Sequence, residues 1–289
     1  MDVFEAISDV RRRRWAAPAE TWGLVPTMGY LHEGHLSLVR RARTENDHTG
    51  VSIFVNPAQF HDAGDLGAYP RDLDRDLMLL DREGVDLVWT PPVSRVYPEG
   101  YQTYVGVEEL TRPLEGRHRP GHFRGVTTMV AKLFNVFQPT RAYFGQKDAQ
   151  QALAIRRMVA DLDFNLEVVV CETVRESDGL AMSSRNARLS PEARAQSTCL
   201  YRALSRACAL FSAGERDAGR LRETMRHIVA GESLARLEYA SVADAETLLE
   251  VEGMAPEGSG CFLFSLAVEI GGVRLIDNVR VPCPARPLP

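Results

Sequence analysis

The chain has 289 residues, of which 45% are hydrophobic and 25% charged, and its formal net charge is −5. This composition excludes a fibrous or disordered chain, and the acidic balance argues against a general nucleic-acid binder while leaving room for a local cationic pocket. No apolar run reaches the ~18 residues of a membrane helix, and the opening MDVFEAISDVRRRRW lacks the apolar segment of a secretory signal, so a cytoplasmic protein without membrane or nucleic-acid partners is expected. The five cysteines (Cys171, Cys199, Cys208, Cys261 and Cys283) form no Cys-x-x-Cys pattern and fit reduced thiols.

In chain order, Arg11 to Arg14 read as the solvated end of a first helix, a binding patch being the other reading. The run WGLVPT (Trp22–Thr27) has the character of a buried strand. It turns through Pro26-Thr27-Met28-Gly29 into a helix predicted over Gly34–Thr44. Near-continuous apolar runs follow at Val51–Asn56, Val85–Thr90, Arg141–Gln146 and Leu166–Cys171. Helical patterns lie between them at Leu73–Arg82, Val126–Phe137 and Ala149–Leu162. Strands that are apolar on both faces and alternate with helices predict a Rossmann-like, doubly wound parallel sheet. Ligands of such sheets sit beyond the carboxyl ends of the strands, so chemistry is expected after Val25, Val55, Phe144 and Val170. Beyond Val174 the pattern changes. Ser190 as N-cap and Pro191 at N1 open one long amphipathic helix. A second helix covers Asp217–Val229, and Gly271-Gly272 between apolar runs marks a hairpin. Two domains are expected: a Rossmann-like one over 1–174 and a smaller α+β one over 175–289, with an irregular proline-rich tail after Val281.

Three constellations carry chemistry. In His32-Glu33-Gly34-His35, two imidazoles three apart share one face of a helix start. The unpaired N–H groups there and the positive end of the helix dipole favour an anion, so the pair suits phosphate oxygens. A metal site and purely structural histidines are the other readings; the spacing is not the His-Glu-x-x-His of zinc proteases. In YFGQKDAQQ (Tyr143–Gln151), a strand ends at Gly145 and Lys147 stands where a helix begins. Lysine is rare here: of 34 basic residues only Lys132 and Lys147 are lysine, so these two sites favour a compact ammonium over arginine's planar fork. In VRESDGLAMSSRN (Val174–Asn186), Asp178-Gly179 make a turn ahead of Ser183, Ser184 and Arg185, a polar loop suited to closing on phosphates.

A His-x-Gly-His after the first long strand, with a Lys-Met-Ser-Lys-Ser-like loop after the last, resembles the nucleotidylyltransferase superfamily. PTMGYLHEGHLSLV, SIFVNPAQF, YPRDLDRDL, RPGHFRGVTTMVAKLFNVFQPTRAYFGQKDAQQ, DGLAMSSRN and RLIDN together resemble the pantothenate synthetase family from end to end. The resemblance implies that pantoate, β-alanine and ATP give pantothenate, AMP and pyrophosphate through a pantoyl adenylate, and that domain 1–174 binds both nucleotide and pantoate. It implies an ATP site lined by Met28, Gly29, Tyr30, Leu31, His32, Glu33, Gly34, His35, Gly145, Gln146, Lys147, Asp148, Val174, Met182, Ser183, Ser184 and Arg185. His35 matches the family's proton donor, and His32, Lys147, Ser183, Ser184 and Arg185 are the other catalytic candidates. Gln59 and Gln151 match the glutamines that hold pantoate, with Gln59 also placed to meet β-alanine. Tyr69 and Arg119 match further pocket positions. Mg²⁺ is expected on the phosphates; no protein ligand is identified, Asp76 and Asp148 being candidates only. A homodimer is implied. The chain departs from the family pattern at His61–Gly64, at Ala149 where an aromatic is common, and at Glu172 where proline is common.

An enzyme transferring a nucleotidyl group to a phosphorylated alcohol would keep this fold. It would need cations where the chain offers Gln59 and Gln151. An ATP-responsive binding module would not require the donor set at all.

Overall fold

The computed structural model describes residues 1–60, 63–253 and 261–282. His61 and Asp62 of the divergent loop, Cys283 and the proline-rich tail lie outside the described residues. In chain order the elements are β1 (Asp2–Phe4), α1 (Ile7–Trp15), β2 (Trp22–Thr27), α2 (Glu33–Glu45), β3 (His48–Ile53), α3 (Ala63–Ala68), α4 (Leu73–Arg82), β4 (Leu87–Trp89), α5 (Val93–Val96), α6 (Glu115–His118), α7 (His122–Phe137), β5 (Arg141–Gly145), α8 (Ala149–Asp161), β6 (Glu167–Cys171), α9 (Pro191–Gln196), α10 (Cys199–Ser212), α11 (Ala218–Ala230), β7 (Ala235–Asp244), β8 (Cys261–Ile270) and β9 (Val273–Pro282). Contacts divide the chain into one unit of Met1–Gln146 with Gln150–Val174, and another of Lys147–Ala149 with Arg175–Pro289.

In the first unit six parallel strands form one sheet in the order β1-β4-β3-β2-β5-β6. Successive residues of one strand point to opposite faces, and both faces are covered. Leu24, Leu87, Trp89, Ala142 and Phe144 pack with residues of α1, α7 and α8. Val25, Val51, Val88, Tyr143 and Val169 pack with residues of α2 and α4. This is the doubly wound, Rossmann-like sheet that the apolar runs predict. The chain runs outward from β2 through β3 to β4, then returns to build β5 and β6 on the other side. The strand order therefore reverses between β2 and β5, the position where such sheets bind ligands.

Several local differences have identifiable causes. β1 goes unpredicted because three residues carry no periodicity; it forms by pairing with β4 from Asp2↔Leu87 to Phe4↔Trp89. The Val51–Asn56 run is apolar past its pairing, so the strand itself is shifted earlier, to His48–Ile53. Arg14 is buried rather than solvated: its Nε donates to the Gln138 carbonyl at 3.1 Å, and its guanidinium lies 5.1 Å from the Trp15 ring centroid. Lys132 packs over the Tyr101 ring, with Nζ 4.5 Å from its centroid, and burial lowers its pKa.

The second unit is an antiparallel sheet β7-β8-β9 with α10 and α11 packed on it through Leu204, Phe211, Leu221 and Met225 against Phe264, Leu266 and Val268. Ile270 pairs with Val273, leaving Gly271-Gly272 as the two-residue turn, both at positive φ. The single long helix expected after Ser190 is instead two, α9 and α10. At the break the Ser197 hydroxyl donates to the Arg194 carbonyl at 2.7 Å and the Thr198 hydroxyl to the Ala195 carbonyl at 3.3 Å. Such side-chain bonds back onto the helix compete with its own ladder. No helix among the described residues is long and apolar enough to cross a membrane.

Candidate active site

Because the strands are parallel, the segments that follow β2, β3 and β5 all leave from one edge of the sheet. After β2 the chain makes a sharp turn with two consecutive left-handed residues, Gly29 (φ 79°) and Tyr30 (φ 51°). A Cβ on Gly29 would lie 3.0 Å from both Asp76 Oδ2 and Ile53 Cγ2, so glycine is required there. His32 follows in extended conformation as the N-cap of α2. Its backbone N–H donates to His35 Nδ1 at 3.3 Å, and the two imidazole rings lie 4.0 Å apart. With Nδ1 accepting, the proton of neutral His35 resides on Nε2. Met28, Tyr30, His32, Gly34 and His35 are half-buried, whereas Leu31 points into the core and Glu33 is exposed on the helix surface, paired with Arg40.

The predicted Gln59 lies in a single 3-10 turn, Pro57–Gln59, after β3. It is held from several directions. Its Nε2 donates to Met28 Sδ at 2.8 Å, and Asn56 Nδ2 donates to its Oε1 at 3.1 Å. Asn56 is itself fixed by the Tyr97 hydroxyl at 2.8 Å and by donating to the Gly125 carbonyl at 3.0 Å. On the backbone side, the Gln59 carbonyl accepts from His122 Nδ1 at 2.8 Å and Arg119 Nη2 at 3.4 Å. Met28, Gln59 and Arg119 are thus brought together. Tyr69 is buried with its ring 5.8 Å from that of Phe60. A cavity of about 390 Å³ is lined in part by Met28, Tyr30, Pro57, Arg71, Asp76 and Thr90; Gln59, Tyr69 and Arg119 do not line it. Gln151 stands half-buried on the first turn of α8. Its neighbour Gln150 is spent on the chain between Leu110 and Glu115: it donates to the Leu110 and Pro113 carbonyls and accepts from Glu115 N.

Gly125 lets α7 approach this turn; a Cβ there would meet the Ala58 carbonyl oxygen at 2.2 Å. Gly125→Ala is expected to destabilise the protein by about 1–3 kcal/mol, the scale of overpacking, and to raise KM for the substrate assigned to Gln59 below. Thermal melting with steady-state kinetics checks both, and a variant with an unchanged melting temperature would show that α7 can withdraw freely.

In the second unit, Lys147 is half-buried with Nζ 3.7 Å from Asp148 Oδ1, while Asp148 is exposed. The Lys147 backbone carbonyl accepts from Asn278 Nδ2 at 2.8 Å. Asp277, nearly fully buried, takes both arms of Arg175 at 2.6 and 2.9 Å and accepts from Asn278 N at 2.8 Å. The RLIDN motif, which sequence reading leaves without a role, therefore anchors the Lys147 backbone. Ser183 caps a 3-10 turn over Ser184–Arg188, accepting from Arg185 N at 3.3 Å. Asn186 ties this turn to Glu176 and to the Ala181 carbonyl. Val174, Met182, Ser183 and Arg185 are half-buried, and Ser184 is buried. Gly145 and Gln146, at the end of β5, are half-buried in the chain leading to Lys147.

Among the described residues no cluster of three or more His, Cys, Asp or Glu could hold a metal ion. Asp76, a Mg²⁺ candidate by sequence, directs both carboxylate oxygens at backbone N–H groups, those of Tyr30 at 2.6 Å and Leu31 at 2.8 Å.

A doubly wound sheet with a histidine-bearing helix start at its switch point defines an ATP-using enzyme of the nucleotidyltransferase-like superfamily. The Pantoate-beta-alanine ligase family model matches residues 2–280, and the chain belongs to that family. It is 57% identical over 278 residues to the pantothenate synthetase of Roseiflexus sp. (strain RS-1), covering 96% of this chain and 98% of that one. The crystal structure of pantothenate synthetase from Thermus thermophilus is similar with a TM-score of 0.90 at 46% identity, over 96% of this chain and 99% of that one. The pantoate-beta-alanine ligase of Francisella tularensis, complexed with β,γ-ATP and β-alanine, is similar with a TM-score of 0.79 at 32% identity, over 96% and 97%.

Proposed function

We propose that the ATP-dependent ligation of pantoate with β-alanine, the reaction of this family, is run in this chain by the residues singled out above. A carboxylate resists an amine because oxide is a poor leaving group. Pantoate's carboxylate oxygen attacks the α-phosphorus of ATP, the bond to the β-phosphate oxygen breaks, and pyrophosphate leaves. The amine of β-alanine then attacks the carbonyl carbon of the adenylate, AMP leaves, and the ammonium loses a proton to give pantothenate. No protein nucleophile is required.

The observation that supports the assignment is the turn into α2, where the His32 N–H donates to His35 Nδ1; in the neutral ring this leaves the proton on Nε2, the donor assigned to a phosphate oxygen. His32, Lys147, Ser183, Ser184 and Arg185 are the further donors for the charge that builds on the α-phosphate and departing pyrophosphate; such donors act by positioning and by electrostatic stabilisation. Met28 to His35, Gly145 to Asp148, Val174 and Met182 to Arg185 are assigned to ATP. Gln59 and Gln151 are assigned to pantoate, as neutral amides able to meet both hydroxyl and carboxylate. Gln59 also serves β-alanine, and Tyr69 and Arg119 complete the pocket. The donor set is cationic and neutral, which suits phosphate oxygens rather than a metal ion, so Mg²⁺ enters with ATP as its phosphate-bound counterion. By the same resemblance we assign residues 1–174 to nucleotide and pantoate binding and 175–289 to the smaller domain with the Ser183–Asn186 loop. A cytoplasmic homodimer is the expected state; light scattering of the purified protein measures the dimer directly.

The test separates the half-reactions. Labelled pyrophosphate is expected to exchange into ATP with pantoate present and β-alanine absent. Gln151→Ala is expected to weaken that exchange through pantoate by ~1–3 kcal/mol, the cost of leaving substrate groups unpaired, with ATP affinity nearly unchanged. Exchange that requires β-alanine would refute the stepwise order, and exchange driven by a phosphorylated alcohol would refute the substrate assignment.

A further inference from the structure

We infer that Asp76 is a positioning residue for the ATP chemistry: from α4 it holds the Gly29-Tyr30-Leu31 turn and thereby sets the tautomer and aim of His35. This rests on the role proposed for His35. Three consecutive backbone N–H groups enter α2, and each is met by a side chain. Those of Tyr30 and Leu31 donate to Asp76 Oδ2 and Oδ1, and that of His32 donates to His35 Nδ1. Successive N–H groups in a turn with left-handed residues form a concave anion site. Here the protein's own carboxylate fills it, across 46 residues of chain, and Asp76 is only 1% exposed.

The charges around Asp76 agree with this role. Arg75 Nη1 lies 3.5 Å from Asp76 Oδ1, and its guanidinium stacks 5.4 Å from the Tyr30 ring centroid. Asp72, one helical turn earlier, accepts from Arg75 N at 3.1 Å and so caps α4. Burial raises the Asp76 pKa, while the Leu31 and Tyr30 N–H groups and Arg75 oppose that shift. An aspartate in this position is costly to bury without partners; both its oxygens have them. A left-handed tyrosine is disfavoured on its own and persists only where its surroundings impose it. The carboxylate supplies that constraint.

Asp76→Asn keeps the shape but replaces one acceptor with an NH₂ that faces a backbone N–H. The experiment uses protein labelled with ¹⁵N-histidine, with the His35 resonances assigned by their loss in His35→Gln. In the native enzyme His35 is expected as the Nε2–H tautomer; in Asp76→Asn the two tautomers are expected to mix. Pyrophosphate exchange is expected to fall on the order of 10²-fold, the effect of misplacing a catalytic group by about an ångström. The decrease is expected in kcat, with the Mg²⁺ dependence unchanged. Gly29→Ala strains the same turn and presses its Cβ to 3.0 Å from Asp76 Oδ2 while leaving the carboxylate's charge in place; it is expected to show the same tautomer mixing and carries the test if Asp76→Asn does not fold. An unchanged tautomer and rate in either folded variant would overturn the proposal. So would a raised Mg²⁺ requirement with an unchanged tautomer, which would make Asp76 a metal ligand. If His35→Gln exchanges normally, the role given to His35 fails, and the tautomer readout still decides whether Asp76 sets it.

Discussion

Replacing Lys147 with alanine is expected to lower the adenylation rate at least ~100-fold, the scale of removing a key donor to a charged transition state. Several observations motivate this. Lysine survives at only two positions in a chain that otherwise uses arginine. Lys132 is accounted for by the tyrosine rings it covers, which leaves Lys147 as the lysine with no packing role. Its backbone is held by Asn278, and Asn278 by the buried Asp277–Arg175 pair. The backbone from which this side chain springs is thus held in place. Lys147→Arg is expected to rescue poorly, since a broad, planar fork does not fit a point-charge position. Single-turnover formation of the adenylate is the measurement, because it excludes product release. Near-normal turnover in the arginine variant would mean that charge alone suffices.

His35→Ala is expected to lower pyrophosphate exchange by ~10²–10³-fold, the range seen on removing one such donor, with little change in melting temperature. The side chain is half-buried at the first turn of α2, and the apolar stripe of Leu36, Leu38, Val39 and Ala42 that anchors the helix does not include it. The apolar anchoring of the helix therefore does not depend on His35, whose ring accepts from the His32 N–H at the helix start. Glutamine at this position offers a donor at similar reach and is expected to recover part of the loss. Stoichiometric zinc copurifying with the protein and lost on replacing either histidine would instead support the metal reading of the pair.

The residues assigned to substrates are more legible in the sequence than those that hold them in place. β2 and α4 fall where their patterns place them, because an apolar run or a helical stripe is a local signal. His35, Lys147 and Gln59 are legible for a similar reason: unusual side chains stand beside strand ends in ordered motifs. Their supports are not local. Asp72 and Asp76 look alike in YPRDLDRDL, yet one caps its own helix while the other reaches a turn 45 and 46 residues away. Nothing in the spacing separates these fates, and Asp76 consequently reads as a metal candidate. Asn56, His122 and Gly125 escape notice likewise, since their partners are brought together by α7 lying against the turn after β3. Ser197 and Thr198 look helical by pattern because their hydroxyls can join either the helix or its termination.

The bracing of Gln59 also bears on when its ordering cost is met. A free glutamine side chain loses up to about 1.5–2 kcal/mol of rotamer freedom when it is fixed, and a solitary 3-10 turn is too short to hold its own shape. Here Asn56, Met28 and His122 hold both the amide and the backbone through the protein's own groups. That entropy is surrendered on folding rather than on binding, so the pantoate proposed for this site would meet an amide already fixed in orientation. A small, hydrated acid with few atoms to contribute can then be held by a handful of contacts, because little of their free energy is consumed in arranging the protein around it.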